Sequence, residues 1–165
     1  MNSVTNSYRS TTIGLVTPTR HIDMRGKMGE VRLMTEEERT KRMNELALKG
    51  HCCTPVMVQV ALDELGAQNE QMVEAVSVLC FGLAQGGSCG GLAGAKMAMA
   101  LRSSRPLDDE VVDRLVEWFR AEYGSLACKD IVLDPFDRFL KCPELMNRTY
   151  GVAMRLLRDR GTLLS

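Results

Sequence analysis

At 165 residues, 45% of them hydrophobic, the chain is long enough to bury a substantial core in one domain. Lys plus Arg equal Asp plus Glu at 21 each, so no bulk charge argues for nucleic acid or a membrane surface as partner. No apolar run reaches spanning length or reads as a signal-peptide core, which points to a cytoplasmic protein.

In chain order, residues 1–34 are rich in Ser, Thr and Arg and lack a sustained apolar period, the pattern of a flexible N-terminal tail. Residues 35–165 carry the helical signals. Thr35-Glu36-Glu37-Glu38 has the capping-box form, opening a first helix that runs to about Leu48 and buries Met43, Leu46 and Ala47. Pro55, with Thr54 or Cys53 as cap, opens a second helix carrying Val56, Met57, Val60, Ala61 and Leu65. A third spans roughly 68–81 with Met72, Val73, Val76, Leu79 and Cys80 on its apolar stripe. Residues 92–101, rich in Ala and Met, predict a helix apolar on nearly all sides and therefore central. Asp108 and Asp109 open a fifth helix, with Val112, Leu115, Val116 and Phe119 inward, closed by Gly124. Asp134-Pro135 predicts a brief helix, and Cys142-Pro143-Glu144 the start of the last one, ending at Gly161. No segment reads as a strand. The fold class is all-α, a compact bundle of five to seven helices with a Gly-rich loop before a buried central helix.

That loop, Gly82 to Gly91, is the chemically distinctive stretch. Its glycines permit positive φ and close backbone approach, and Cys89 is its reactive side chain. Cys89 falls at a helix N-terminus, where the macrodipole favours thiolate over thiol. The loop lacks the Lys-Ser/Thr of a phosphate-binding loop, and no strand precedes it, so nucleotide binding is rejected. Six cysteines without a secretory signal argue against a disulfide framework and towards metal binding or thiol chemistry. Cys80 sits on an apolar stripe and reads as core. Cys52, Cys53, Cys89, Cys128 and Cys142 all fall at predicted element ends, where free backbone N–H groups can stabilise thiolate sulfur. Lys96 reads as a surface lysine with its stem on apolar neighbours, and His51 as an exposed histidine.

Cys53, the motif Cys89-Gly90-Gly91-Leu92-Ala93-Gly94, Cys128 and Cys142 together resemble the C-GCAxxG-C-C family of redox-active proteins. Gly50-His51-Cys52-Cys53 before an apolar helix, and the run from Trp118 through Tyr123-Gly124-Ser125 to Cys128, agree with that family's flanks. Two departures stand out: Gly91 replaces the usual Ala, and Pro55 stands where Gln is common. The resemblance covers about Thr35 to Gly161 and extends to a domain of split-Soret-type cytochromes. It implies a four-cysteine redox domain. The absence of Cys-x-x-Cys-His excludes an attached c-type haem.

Three chemistries follow from such a set. Cys53, Cys89, Cys128 and Cys142 would ligate an iron–sulfur cluster for electron transfer with a redox partner protein, tuned by N–H···S bonds from the loop around Gly90, Gly91 and Gly94. Alternatively Cys89 is the catalytic nucleophile of a thiol–disulfide protein that needs no metal, or the four sulfurs hold structural zinc. Cys52 is a possible additional participant.

Overall fold

A computed structural model describes residues 31–134 and 136–164. The tail expected over residues 1–34 lies outside the described residues up to position 30. Residues 32 and 34 already rest on the body: the Arg32 N–H donates to the Glu64 carbonyl (2.7 Å) and the Met34 N–H to the Glu64 carboxylate (3.1 Å).

Seven α-helices follow among the described residues: α1 (Glu36–Leu48), α2 (Cys53–Glu64), α3 (Glu70–Ala75), α4 (Gly90–Arg102), α5 (Asp109–Tyr123), α6 (Cys128–Ile131) and α7 (Asp137–Asp159). A 3-10 turn (Val76–Leu79) and a π turn (Gly82–Gly86) join α3 to α4. No strand forms among the described residues; two isolated bridges, Ser88 with Ala127 and Ser103 with Leu163, are the extended pairing. The fold is all-α, as the periodicity indicates.

Local chemistry explains most boundaries. The Thr35 hydroxyl accepts from the Glu38 N–H, and the Glu38 carboxylate accepts from the Thr35 N–H, so the capping box is complete. Asp108 caps α5 through the Val111 N–H, and Gly124 ends that helix at φ 75°.

α4 is the hub. It packs chiefly against α2 and α7. Gly90, Gly91, Leu92, Gly94, Ala95, Ala98 and Met99 are buried. Gly90 and Gly94, four residues apart, share one face, and that face meets α2. A β-carbon on Gly94 would stand 2.7 Å from the Met57 β-carbon and 3.2 Å from the Thr54 α-carbon. Met43, Leu46, Val56, Met57, Val60, Leu115, Phe119, Met146, Tyr150 and Leu157 complete the core from α1, α2, α5 and α7.

The core also encloses charge. Arg102 and Glu64 are 0% and 2% exposed. The Tyr150 hydroxyl donates to the Glu64 carboxylate at 2.7 Å, and the Arg102 guanidinium lies 3.5 Å from the same oxygen while donating to the Leu164 carbonyl. This cluster ties α2, α4 and α7 together at the end of α4 opposite Cys89.

Four expectations need correction. The third helix does not run as α-helix to residue 81: it changes to a 3-10 turn at Val76 and leaves helical geometry at Cys80, where the chain is bonded to Cys52. The central helix begins two residues early, at Gly90, because glycine there lets the first turn press on its neighbours. Ala47 is exposed. The two helices predicted around Pro135 and Pro143 are one: α7 runs through Pro143. Proline removes the hydrogen bond to the carbonyl four residues back, here on Phe139, a residue 78% exposed, so water can take the donor's place.

Candidate four-cysteine site

The Trp118–Asp130 segment builds one side of the site. Trp118, Phe119 and Tyr123 pack edge to face and tilted on one another at the end of α5. After Gly124 turns the chain, the Ser125 hydroxyl donates to the Asp130 carboxylate (2.7 Å) and accepts from the Ala127 N–H (3.0 Å). That turn presents Ala127 to Ser88 as an antiparallel bridge. The Cys89 N–H donates to the Leu126 carbonyl at 2.7 Å, and the Cys128 N–H donates to the Gly87 carbonyl at 2.6 Å. Cys89 and Cys128 therefore leave the bridge side by side, one capping α4 and the other opening α6.

Cys53, the first residue of α2, meets α4 at Gly90. A β-carbon on Gly90 would stand 2.5 Å from the Cys53 sulfur, 2.9 Å from the Thr54 hydroxyl and 3.0 Å from the Leu79 carbonyl oxygen. The Thr54 hydroxyl donates to the Gly90 carbonyl at 2.9 Å and locks the two helix starts together. A β-carbon on Gly91 would meet a Leu145 methyl at 2.7 Å and the Cys89 sulfur at 3.6 Å. Leu145 lies three residues after Cys142, so Cys142 and Leu145 share the face of α7 turned to α4. Cys53, Cys89, Cys128 and Cys142 are all free thiols; Cys89 and Cys128 are buried, Cys53 and Cys142 half-buried.

The four thiols feel one another. Burial is the main force raising the Cys142 thiol, to about 12, with repulsion from Cys53, Cys89 and Cys128 adding to it. Burial likewise pushes Cys89 up to about 11, and Cys53 and Cys128 add to that rise. Cys128 is raised by burial and by Cys53. The Leu92 and Gly91 N–H groups at the start of α4 pull the other way, although neither makes a capping hydrogen bond to the Cys89 sulfur. Desolvation wins, so the expected thiolate preference of Cys89 in the bare protein is overturned.

Two further expectations for the cysteines change. Cys80 is buried but not a free core thiol: it is disulfide-bonded to Cys52 across 28 residues, with α-carbons 6.1 Å apart. Cys142 lies inside α7 rather than at an element start. His51 is exposed and Lys96 half-buried, as read. Arg138 carries a role the sequence reading missed. Its guanidinium lies over the Phe81 ring, 4.2 Å from the centroid, and its charge opposes the rise at Cys128 and Cys142. The signal was available, because Arg138 and Cys142 are four apart on one helix face.

Among the described residues, no group of three or more His, Cys, Asp or Glu side chains is drawn in tightly enough to hold a metal ion. Tetrahedral zinc needs four sulfurs each about 2.3 Å from a single ion.

No helix among the described residues is long and apolar enough to cross a membrane. No curated protein and no solved structure matches the chain. Residues 51–156, well over half of the chain, match the family model described as "Putative redox-active protein (C_GCAxxG_C_C)". The chain belongs to the C-GCAxxG-C-C family of redox-active proteins.

Proposed function

We propose that Cys53, Cys89, Cys128 and Cys142 ligate an iron–sulfur cluster and that the protein carries single electrons to or from a partner protein. The observation that carries this reading is the Ser88–Ala127 bridge, which sets Cys89 beside Cys128, together with four free thiols from four helices that share one electrostatic environment. Such a cluster supplies one-electron chemistry. The chain supplies the rest. The Gly91 and Leu92 N–H groups at the start of α4 would stabilise negative charge on the Cys89 sulfur. The apolar wall of Leu145 and Met146 limits water, and Arg138 lends positive potential at the rim.

Raised thiol pKa values favour this use over free-thiol catalysis. A buried thiol held at about 11 is a poor nucleophile near neutral pH, whereas metal binding supplies the compensating charge and drives the protons off. The test is anaerobic purification or reconstitution, followed by iron, sulfide and visible-absorption analysis of wild type and of each Cys→Ser variant at the four positions. Brown protein with iron and sulfide in equal amounts, lost in each variant, supports the reading. Colourless wild-type protein with neither element after reconstitution refutes it.

A further inference from the structure

The last helix carries an apolar stripe longer than the body beneath it. Along α7, Leu145, Met146, Tyr150, Ala153 and Leu157 are buried against the rest of the fold. Phe139 lies seven residues before Met146, two turns back on the same side. There the core has ended. Phe136, Phe139 and Leu140, at the i, i+3, i+4 spacing of one helix face, are 68%, 78% and 63% exposed, and Leu133 just before them is 75% exposed. Phe81 borders them, with the Arg138 guanidinium over its ring. Three of the chain's four phenylalanines are thus on the surface, a concentration of large apolar groups that marks an interaction site. The segment is also fixed in place. The Asp134 carboxylate accepts from the Phe136 and Asp137 N–H groups (2.7 and 3.0 Å), and the Leu133 N–H donates to the Asp137 carboxylate (3.0 Å).

We infer that this stripe is the contact between two copies of the chain, with the start of α7 lying antiparallel on its counterpart about a two-fold axis near Phe139 and Leu140. The charges beside the stripe choose the occupant. Asp137 and Lys141, one turn apart, are paired within the helix at 2.9 Å. Reversing one helix sets Asp137 of each copy level with Lys141 of the other, so attraction acts across the seam at both ends. Parallel copies would set Asp137 against Asp137 and Lys141 against Lys141. The chain carries 21 basic and 21 acidic side chains, so no net charge drives two copies apart. Area fits the same occupant. Two phenylalanines and two leucines exposed to this degree supply roughly 500–600 Å² per copy, about 1,000–1,200 Å² for the pair. That is the low end of a specific interface, so the dimer is reversible. The contact requires neither metal nor cofactor.

Sedimentation equilibrium of the full chain, prepared without air so that no intermolecular disulfide forms, tests this. The mass should climb from 18.3 kDa towards twice that value as the protein is concentrated, with a dissociation constant on the order of 10 μM. Phe139→Glu should weaken association at least about 30-fold while helicity and thermal midpoint stay unchanged. Leu48→Glu, which puts the same charge on an isolated exposed leucine of α1, should leave association as it is. Asp137→Lys should weaken it by about threefold to tenfold at low salt, and adding Lys141→Asp should restore it. Hydrogen exchange of wild type supplies a readout that depends on no variant: amides from Phe136 to Lys141 should exchange more slowly in concentrated than in dilute protein. A mass of 18.3 kDa at every concentration overturns the proposal. So does a dimer that Phe139→Glu leaves intact, or exchange in that segment that ignores concentration. Association lost in Phe139→Glu but indifferent to Asp137→Lys overturns the antiparallel arrangement.

Discussion

The sulfur of Cys53 lies against Gly90, so close that a β-carbon on that glycine would stand 2.5 Å from it. α2 and α4 thus meet at their first turns with a thiol on one side and bare backbone on the other, and both thiols of that junction, Cys53 and Cys89, are held by the contact.

Gly90→Ala is therefore expected to push Cys53 away and destabilise the fold by about 1–3 kcal/mol, the usual cost of overpacking. Gly151→Ala is the control. Its β-carbon would meet only the Arg39 guanidinium, at an ordinary 3.6 Å, and replacing glycine by alanine inside α7 should stabilise by about 0.5–1 kcal/mol. Urea denaturation of the two variants should move in opposite directions.

Glu64→Gln should be severely destabilising, by about 3–5 kcal/mol, because it strands the Arg102 guanidinium in the core. Adding Arg102→Met removes the stranded charge and should recover most of that loss. Thermal or urea unfolding of the single and double variants checks this; equal losses in both would mean that packing rather than charge sets the cost.

The metal-free protein has a definite pH signature. Cys89 and Cys142 are raised from 9.0 to about 11 and about 12. Between the unfolded and folded values the unfolded chain has released protons that the native state keeps, so stability falls as pH rises. The contribution of these thiols is complete below about pH 9 and is lost towards pH 11–12. Alkylation of Cys89 near pH 8 should be about 100-fold slower than that of an unperturbed thiol. Mass spectrometry of timed alkylation checks it, and equal rates would contradict the burial that raises the group.

Arg138 brings positive charge to the rim beside Cys128 and Cys142. Arg138→Gln should lower the reduction potential of the iron-loaded protein by on the order of tens of millivolts, since an exposed charge acts through water. The shift should shrink at high salt. Voltammetry at two ionic strengths measures both, and an unchanged potential at low salt would remove Arg138 from the site.

Helices were legible wherever an apolar period met a cap, as with Thr35, Asp108 and Gly124. The motif glycines were legible as a loop, but not as the first turn of α4, because their use depends on Cys53, Thr54, Leu79 and Leu145 arriving from elsewhere. Pro143 misled because a proline reads as a start when the solvent exposure of Phe139 is unknown. The Cys52–Cys80 bond spans 28 residues and leaves no local trace. The buried Glu64 and Arg102 look like ordinary surface charges until three helices close over them. The thiolate expected at Cys89 failed on magnitude: the helix-start N–H groups are present, but desolvation outweighs them.

Mössbauer spectroscopy of protein reconstituted with isotopically enriched iron tests the central assignment most directly. The account predicts tetrahedral, sulfur-coordinated irons magnetically coupled to one another in wild type, absent when Cys53, Cys89, Cys128 or Cys142 is replaced by Ser. Iron seen solely as an uncoupled, oxygen-coordinated species, unchanged by those substitutions, would contradict it.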